Sequence, residues 1–148
     1  MSNREAVQSI YEAFGRGDVE SILTHLSDDV RWDRWPAGNG AQDAGVPWMA
    51  ERMGHAGARE FFALIYEELE FNGFAQVALL EDDTRVAALI ELDVTVRATG
   101  RRFQDAEIHL WTFGPDGRVS DFRHHNDTVK HAAAAARAHE PSSTVTVS

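Results

Sequence analysis

Between Arg85 and Asn126 the chain alternates, and this alternation limits what it can become. Ile90, Leu92, Val94 and Val96 fall on one side of an extended chain, with Glu91, Asp93, Thr95 and Arg97 on the other. Successive strand side chains point to opposite faces, so such a segment has one dry and one wet face. Alternation returns over about 103–113 and 118–126, separated by Gly114-Pro115-Asp116-Gly117. That tetrapeptide is a turn, because proline presets φ and glycine accepts positive φ. A shorter apolar run covers 74–80, followed by the polar turn 81–84. These strands read as a meandering antiparallel sheet.

The first half has a different period. Val7, Ile10, Tyr11 and Phe14 recur at helical spacing until Gly15 and Gly17. Asp18 is placed to cap a second helix carrying Val19, Ile22, Leu23 and Leu26. Residues 28–35 suggest a short strand, and 36–54, rich in Gly and Pro, a long loop. A third helix is expected over about 58–69. Asp127 or Thr128 can cap a short C-terminal helix that Pro141 closes. Helices followed by sheet make an α+β domain over 1–140, and the small polar tail 141–148 is expected to be disordered.

Composition removes several function classes. At 148 residues the chain is one domain. Without Cys there is no disulfide or thiolate chemistry. A formal net charge of -10 repels phosphate backbones, so nucleic acid is not an expected partner. No apolar run approaches the ~20 residues that span a bilayer. The charged N-terminus lacks a signal-peptide core, and a cytoplasmic protein acting on small molecules or proteins is expected.

On the 103–113 strand, Asp105, Glu107, His109, Trp111 and Phe113 share a face. On the last strand Phe122, His124 and Asn126 share one. A hairpin closing at 114–117 brings His109 near Phe122 or Arg123, with His124 about one residue from direct opposition. Histidine suits acid–base work near neutral pH, and Glu107 could fix the His109 tautomer. The same pattern also fits a structural histidine hydrogen-bonded to a carboxylate. Asp33, between Trp32 and Trp35, is a desolvated base, an ion-pair partner of Arg31 or Arg34, or an exposed rim residue. His124 and His125 point to opposite faces, and no spaced metal-ligand set is present, so no metal and no cofactor is expected.

The runs YEAFGRGDVESILTHLSDDVRWD, AREFFALIYEEL and GRRFQDAEIHLWTFGPDGRVSDFRHHNDT, over roughly 4–135, resemble the SnoaL-like proteins of the nuclear transport factor 2-like superfamily. Ketosteroid isomerase and limonene epoxide hydrolase are relatives. The resemblance implies a curved antiparallel sheet wrapped by three N-terminal helices into a cone with an apolar cavity. It places His109 where the isomerase has its penultimate-strand aspartate, and His124 where the hydrolase has a last-strand aspartate. The family's base position falls on Asp33 or Arg34, and the isomerase's tyrosine on Ile10, with Tyr11 one position off. These departures leave both relatives' reactions incomplete. The expectation is a cofactor-independent acid–base enzyme: an isomerase, aldol-type cyclase, or hydrolase/dehydratase. It would act on a small apolar carbonyl-bearing or polycyclic molecule, with Asp33, His109 and His124 catalytic. Tyr11, Trp32, Trp48, Phe62, Glu107, Trp111, Phe122 and Asn126 would line the cavity. The alternative is a non-catalytic module of the same fold that binds a ligand or docks a partner. The outer face with Ile108 and Leu110 would pair two copies into a homodimer.

Overall fold

Helix ends follow local chemistry. In the computed structural model, which describes residues 1–136, helix α1 spans Asn3–Arg16. The Ser2 hydroxyl accepts from the Glu5 N–H while the Glu5 carboxylate accepts from the Ser2 N–H, a capping box. The helix runs through Gly15 and stops at Gly17, whose left-handed backbone costs glycine no Cβ clash. Asp18 caps α2, Val19–Leu23. Strand β1 then runs Leu26–Trp32.

The segment 36–54 is not a bare loop. It holds α3 (Gly40–Asp43), a 3-10 turn at Pro47–Met49 and strand β2 (Arg52–Met53). Asn39 makes α3 possible, because its side-chain oxygen accepts from the N–H groups of Ala41 and Gln42. The third expected helix is α4, Gly54–Glu68. Strands β3 (Leu69–Glu81), β4 (Arg85–Val96), β5 (Arg102–Phe113) and β6 (Val119–His125) follow. Asp127 caps α5, Thr128–Ala135. The expected tail, 141–148, lies outside the described residues.

The expected antiparallel cone is not what forms. Among the described residues the six strands are ordered β2-β1-β6-β5-β4-β3, so β2 and β3 end the sheet and do not meet. The sheet is open, neither closed nor strongly curled, and it is mixed, because β1 runs parallel to β6. The other pairings are antiparallel. Nor do the helices form a block ahead of the sheet, since β1 and β2 lie between them. The physical reason is the crossover. Parallel neighbours require a long connection, and no local pattern in β1 reports a partner so far along the chain.

Val7 and Ile10 of α1, Ile22 of α2, Phe61 and Phe62 of α4, and Val86, Ile90, Trp111 and Phe122 of the sheet form one buried cluster. Ile108, on the opposite face of β5, is 44% exposed. No described helix is long and apolar enough to cross a membrane.

Candidate functional site

Strands β5 and β6 set the site. His109 lies directly opposite His124, and Trp111 opposite Phe122. The expected offset of one residue is removed by a bulge: Thr112 pairs with Asp121 but Phe113 with Val119, leaving Ser120 extra. The two imidazoles stand edge to face, centroids 4.9 Å apart.

His124 is tied to Asp33. Its backbone N–H donates to Asp33 Oδ1 at 2.8 Å, and its Nδ1 meets Oδ2 at 2.7 Å. A carboxylate there places the ring proton on Nδ1 and leaves Nε2 as acceptor. Among the described residues Nε2 has no hydrogen-bond partner, and the ring lines the cavity. Burial disfavours the charged ring, but the Asp33 and Glu107 charges and the Asp33 hydrogen bond outweigh it and raise the pKa of His124.

Asp33 itself is fully buried and does not line the cavity. It is the one non-glycine with positive φ (54°) among the described residues. Aspartate tolerates that region better than most residues, and its neighbours hold it there. Its N–H donates to the Phe122 carbonyl at 2.8 Å. Its own carbonyl accepts from Gln42 Nε2 at 2.7 Å, and the same amide donates to the Met49 carbonyl at 2.8 Å.

His109 is engaged at both nitrogens. Trp111 Nε1 donates to the Tyr11 hydroxyl at 3.1 Å, and that hydroxyl meets His109 Nδ1 at 2.7 Å. Nε2 meets Glu107 Oε1 at 3.0 Å. One proton arrangement satisfies every group: Tyr11 donates to Nδ1, and Nε2–H donates to the carboxylate. Burial lowers the pKa of His109, which keeps the ring neutral, and raises that of the Tyr11 phenol, which keeps it protonated. Burial also opposes ionisation of Glu107, but hydrogen bonds from His109 and His131 overcome it and hold this carboxyl below its usual range.

The network continues into α5. His131 Nε2 lies 2.8 Å from Glu107 Oε2 and 3.0 Å from Asp105 Oδ2. Trp48 Nε1 donates to His131 Nδ1 at 3.0 Å. Against burial, the two carboxylates favour a second proton on this ring and would carry its pKa up to about 9. Trp48 opposes that, since an indole can only donate and a proton on Nδ1 would face its N–H. The contact works against the carboxylates at Nδ1, while Nε2 faces both of them.

Between these groups lies a cavity of about 70 Å³. Tyr11, Trp32, Trp48, Phe62, Glu107, Trp111, Phe122 and Asn126 all line it, as do His109 and His124. Trp35 lies elsewhere, against His125 and Arg123. Sequence reasoning missed His131 and Gln42. A signal for His131 existed: two carboxylates on an inward strand face need buried donors, because an unpaired buried charge is very costly. Tyr11, Phe14, Phe71 and Phe74 also line an open groove between α1 and β3, so their side chains are the partition between cavity and exterior.

Glu107, His109 and His124 place one possible metal-ligand atom each within 4.8 Å of one another, as do Asp105, Glu107 and His131. In both groups the atoms of Glu107 and its histidine partner are already engaged with each other. The arrangement reads as a network for holding protons.

A family model for the SnoaL-like domain matches residues 7–122. An NTF2-like protein of unknown function from Burkholderia pseudomallei is 28% identical over 91% of this chain and 98% of its own, with a TM-score of 0.76. The structure of TerC co-crystallised with polyporic acid is 27% identical over 90% of this chain and 97% of its own, with a TM-score of 0.71. An NTF2-like protein from Burkholderia thailandensis, 21% identical over 90% of this chain and 97% of its own, shares the fold with a TM-score of 0.75. No curated protein matches the chain. A match across most of the chain, on a site built from these paired strands, means that the chain belongs to the SnoaL-like family of the nuclear transport factor 2-like superfamily.

Proposed function

We propose that the chain is a cofactor-independent enzyme that moves protons on a small carbonyl-bearing molecule held in this cavity. The observation that carries the reading is His124: one nitrogen is fixed by a buried carboxylate and the other is unengaged on the cavity wall. In this reading Nε2 takes a proton from the carbon beside the carbonyl. Asp33 holds the ring and offsets the positive charge that forms, so it is a positioning residue. The electron pair freed from the C–H bond moves onto the carbonyl oxygen. Tyr11, kept protonated, turns its O–H from His109 to that oxygen, and His109 with Glu107 sits behind it. His124 then returns the proton to another atom, which is isomerisation. Alternatively, the enolate closes a ring by attack on an internal carbonyl, whose alkoxide takes the proton from His124, or expels a β-hydroxyl that takes that proton and leaves as water. The TerC complex with polyporic acid supports a small organic ligand for this family member too.

The test is hydrogen exchange. In D2O the native protein is expected to speed α-deuteration of 2-tetralone, followed by NMR, and His124→Gln to lose about 10²–10⁴ of that rate. Equal rates in variant and native protein would sink the proposal.

A binding module is the second reading, and the size of the cavity bears on both. At about 70 Å³ the cavity is under half the ~150 Å³ apolar cavity that admits benzene. A ring-sized ligand must push the partition aside. A module would give ligand-dependent thermal stabilisation with no exchange. We further propose that the outer sheet face pairs two copies. Ile108 stands exposed beside Leu110, Ala87 and Leu89 on that face. Light scattering should report a dimer, and Ile108→Lys a monomer.

A further inference from the structure

Three tryptophans line the cavity, and they differ at one atom. Trp111 donates its indole N–H to Tyr11, and Trp48 to His131. Among the described residues the buried Trp32 N–H has no partner, and Trp32 is fully enclosed. Four other buried side-chain atoms share this condition, and one of them belongs to a residue of the same cavity. Asn126 donates from Nδ2 to the Met49 sulfur at 3.2 Å, but its Oδ1 is buried and unpartnered. Nearly all buried polar groups are paired, and one left unpaired destabilises the state that contains it. A donor and an acceptor in want of partners, both on residues of one cavity wall, describe what the missing partner carries.

Their placement adds direction. Trp32 stacks on Phe122 with centroids 4.1 Å apart, two residues before His124. Asn126 comes two residues after His124. Trp32 pairs with Phe122, about 7 Å along the strand before His124, and Asn126, just past the end of β6, lines the same cavity, so by register and sequence the two unpartnered residues flank the histidine.

We infer that Trp32 and Asn126 determine specificity: the cavity takes ligands with an accepting oxygen toward Trp32 and a hydroxyl toward Asn126, on either side of His124. A hydroxylated aryl or cyclic ketone has this chemistry. A plain ketone or plain phenol satisfies one atom and leaves the other unpaired. The inference rests on the cavity being a ligand site, as proposed above, but it concerns recognition and not proton transfer.

Four probes of similar shape separate the contacts: 4-hydroxyacetophenone, acetophenone, 4-ethylphenol and ethylbenzene. Calorimetry on the native chain should rank the first tightest, with each lost oxygen contact costing about tenfold in Kd. Trp32→Phe should cut the advantage of the carbonyl to what Tyr11 alone supplies and keep that of the hydroxyl. Asn126→Leu should do the converse. If Trp32→Phe fails to fold, the indole ¹H–¹⁵N signal of Trp32 in the native chain decides. It should move with the two carbonyl-bearing probes and stay with the other two. Equal affinity for all four probes, no binding by any, or an indole signal indifferent to the carbonyl overturns the inference. Discrimination without α-exchange would leave it standing and remove the proton-transfer reading; exchange without discrimination would do the reverse.

Discussion

Across one pair of strands, His124 keeps a ring nitrogen unengaged on the cavity wall, while both nitrogens of His109 are bonded to Tyr11 and Glu107. The rings have equal burial to within a few percent, 9% and 6% exposed. Burial alone therefore does not separate their pKa values. Against burial, the charges of Asp33 and Glu107 and the Asp33 hydrogen bond raise His124, whereas at His109 burial and the His124 charge outweigh Glu107, which is shared with His131, and leave the ring lowered. The balance of carboxylate contacts against burial decides which ring is the stronger base.

The largest test of this contrast is Asp33→Asn. It removes the charge that raises His124, and exchange should fall by at least about 10²-fold. The sign of the pH effect follows. A base works deprotonated, so the native rate climbs as pH rises through a pKa raised above 6.5. In the variant that limb shifts to lower pH. A limb that stays in place removes Asp33 from the account. Stability gives an independent reading, because a raised His pKa contributes below the unfolded value and the contribution fades as pH rises through the folded one.

Glu107→Gln comes next. An amide can accept one of the two N–H groups now facing the carboxylate and must oppose the other, which costs about 1–3 kcal/mol in urea unfolding. The native contribution of Glu107 is present above about pH 4.3 and is lost as pH falls toward its depressed value. The variant should therefore show a shallower acid slope. Trp48→Phe is subtler. It removes the indole that disfavours a second proton on His131, so the NMR titration of that ring should move further upward. A downward shift would show that the carboxylates do not govern it. Smallest is Phe74→Ala, which thins the partition to the outer groove. Stopped-flow association of 4-hydroxyacetophenone should quicken more than Kd changes; an unchanged rate places the entrance elsewhere.

Much of the site was legible because it is made of alternating positions. The inward row Asp105, Glu107, His109, Trp111 and Phe113 is buried throughout, as the period of the strand requires. Pairing His109 with His124 needed one more fact, the bulge at Ser120, which a count from the turn does not contain. Tyr11 was legible as one position of a helical stripe, but its hydroxyl contact with His109 spans 98 residues. The parallel pairing of β1 with β6 and the reach of His131 from α5 are likewise long-range choices. Local patterns carry face and period, not partner. The one miss with a local cause is α3, where a single Asn39 side chain organises a stretch whose glycines read as loop.

Gln42 has a consequence for anyone who edits this chain. Its amide ties the Asp33 carbonyl to that of Met49, so the surface excursion acts as a splint on the peptide bearing that carboxylate. Trimming or swapping only the α3 part of the excursion, a routine manoeuvre in engineering loops, would free that peptide while removing no wall residue, since Trp48 lies beyond α3. A shortened protein could then melt normally, bind normally and still be slow.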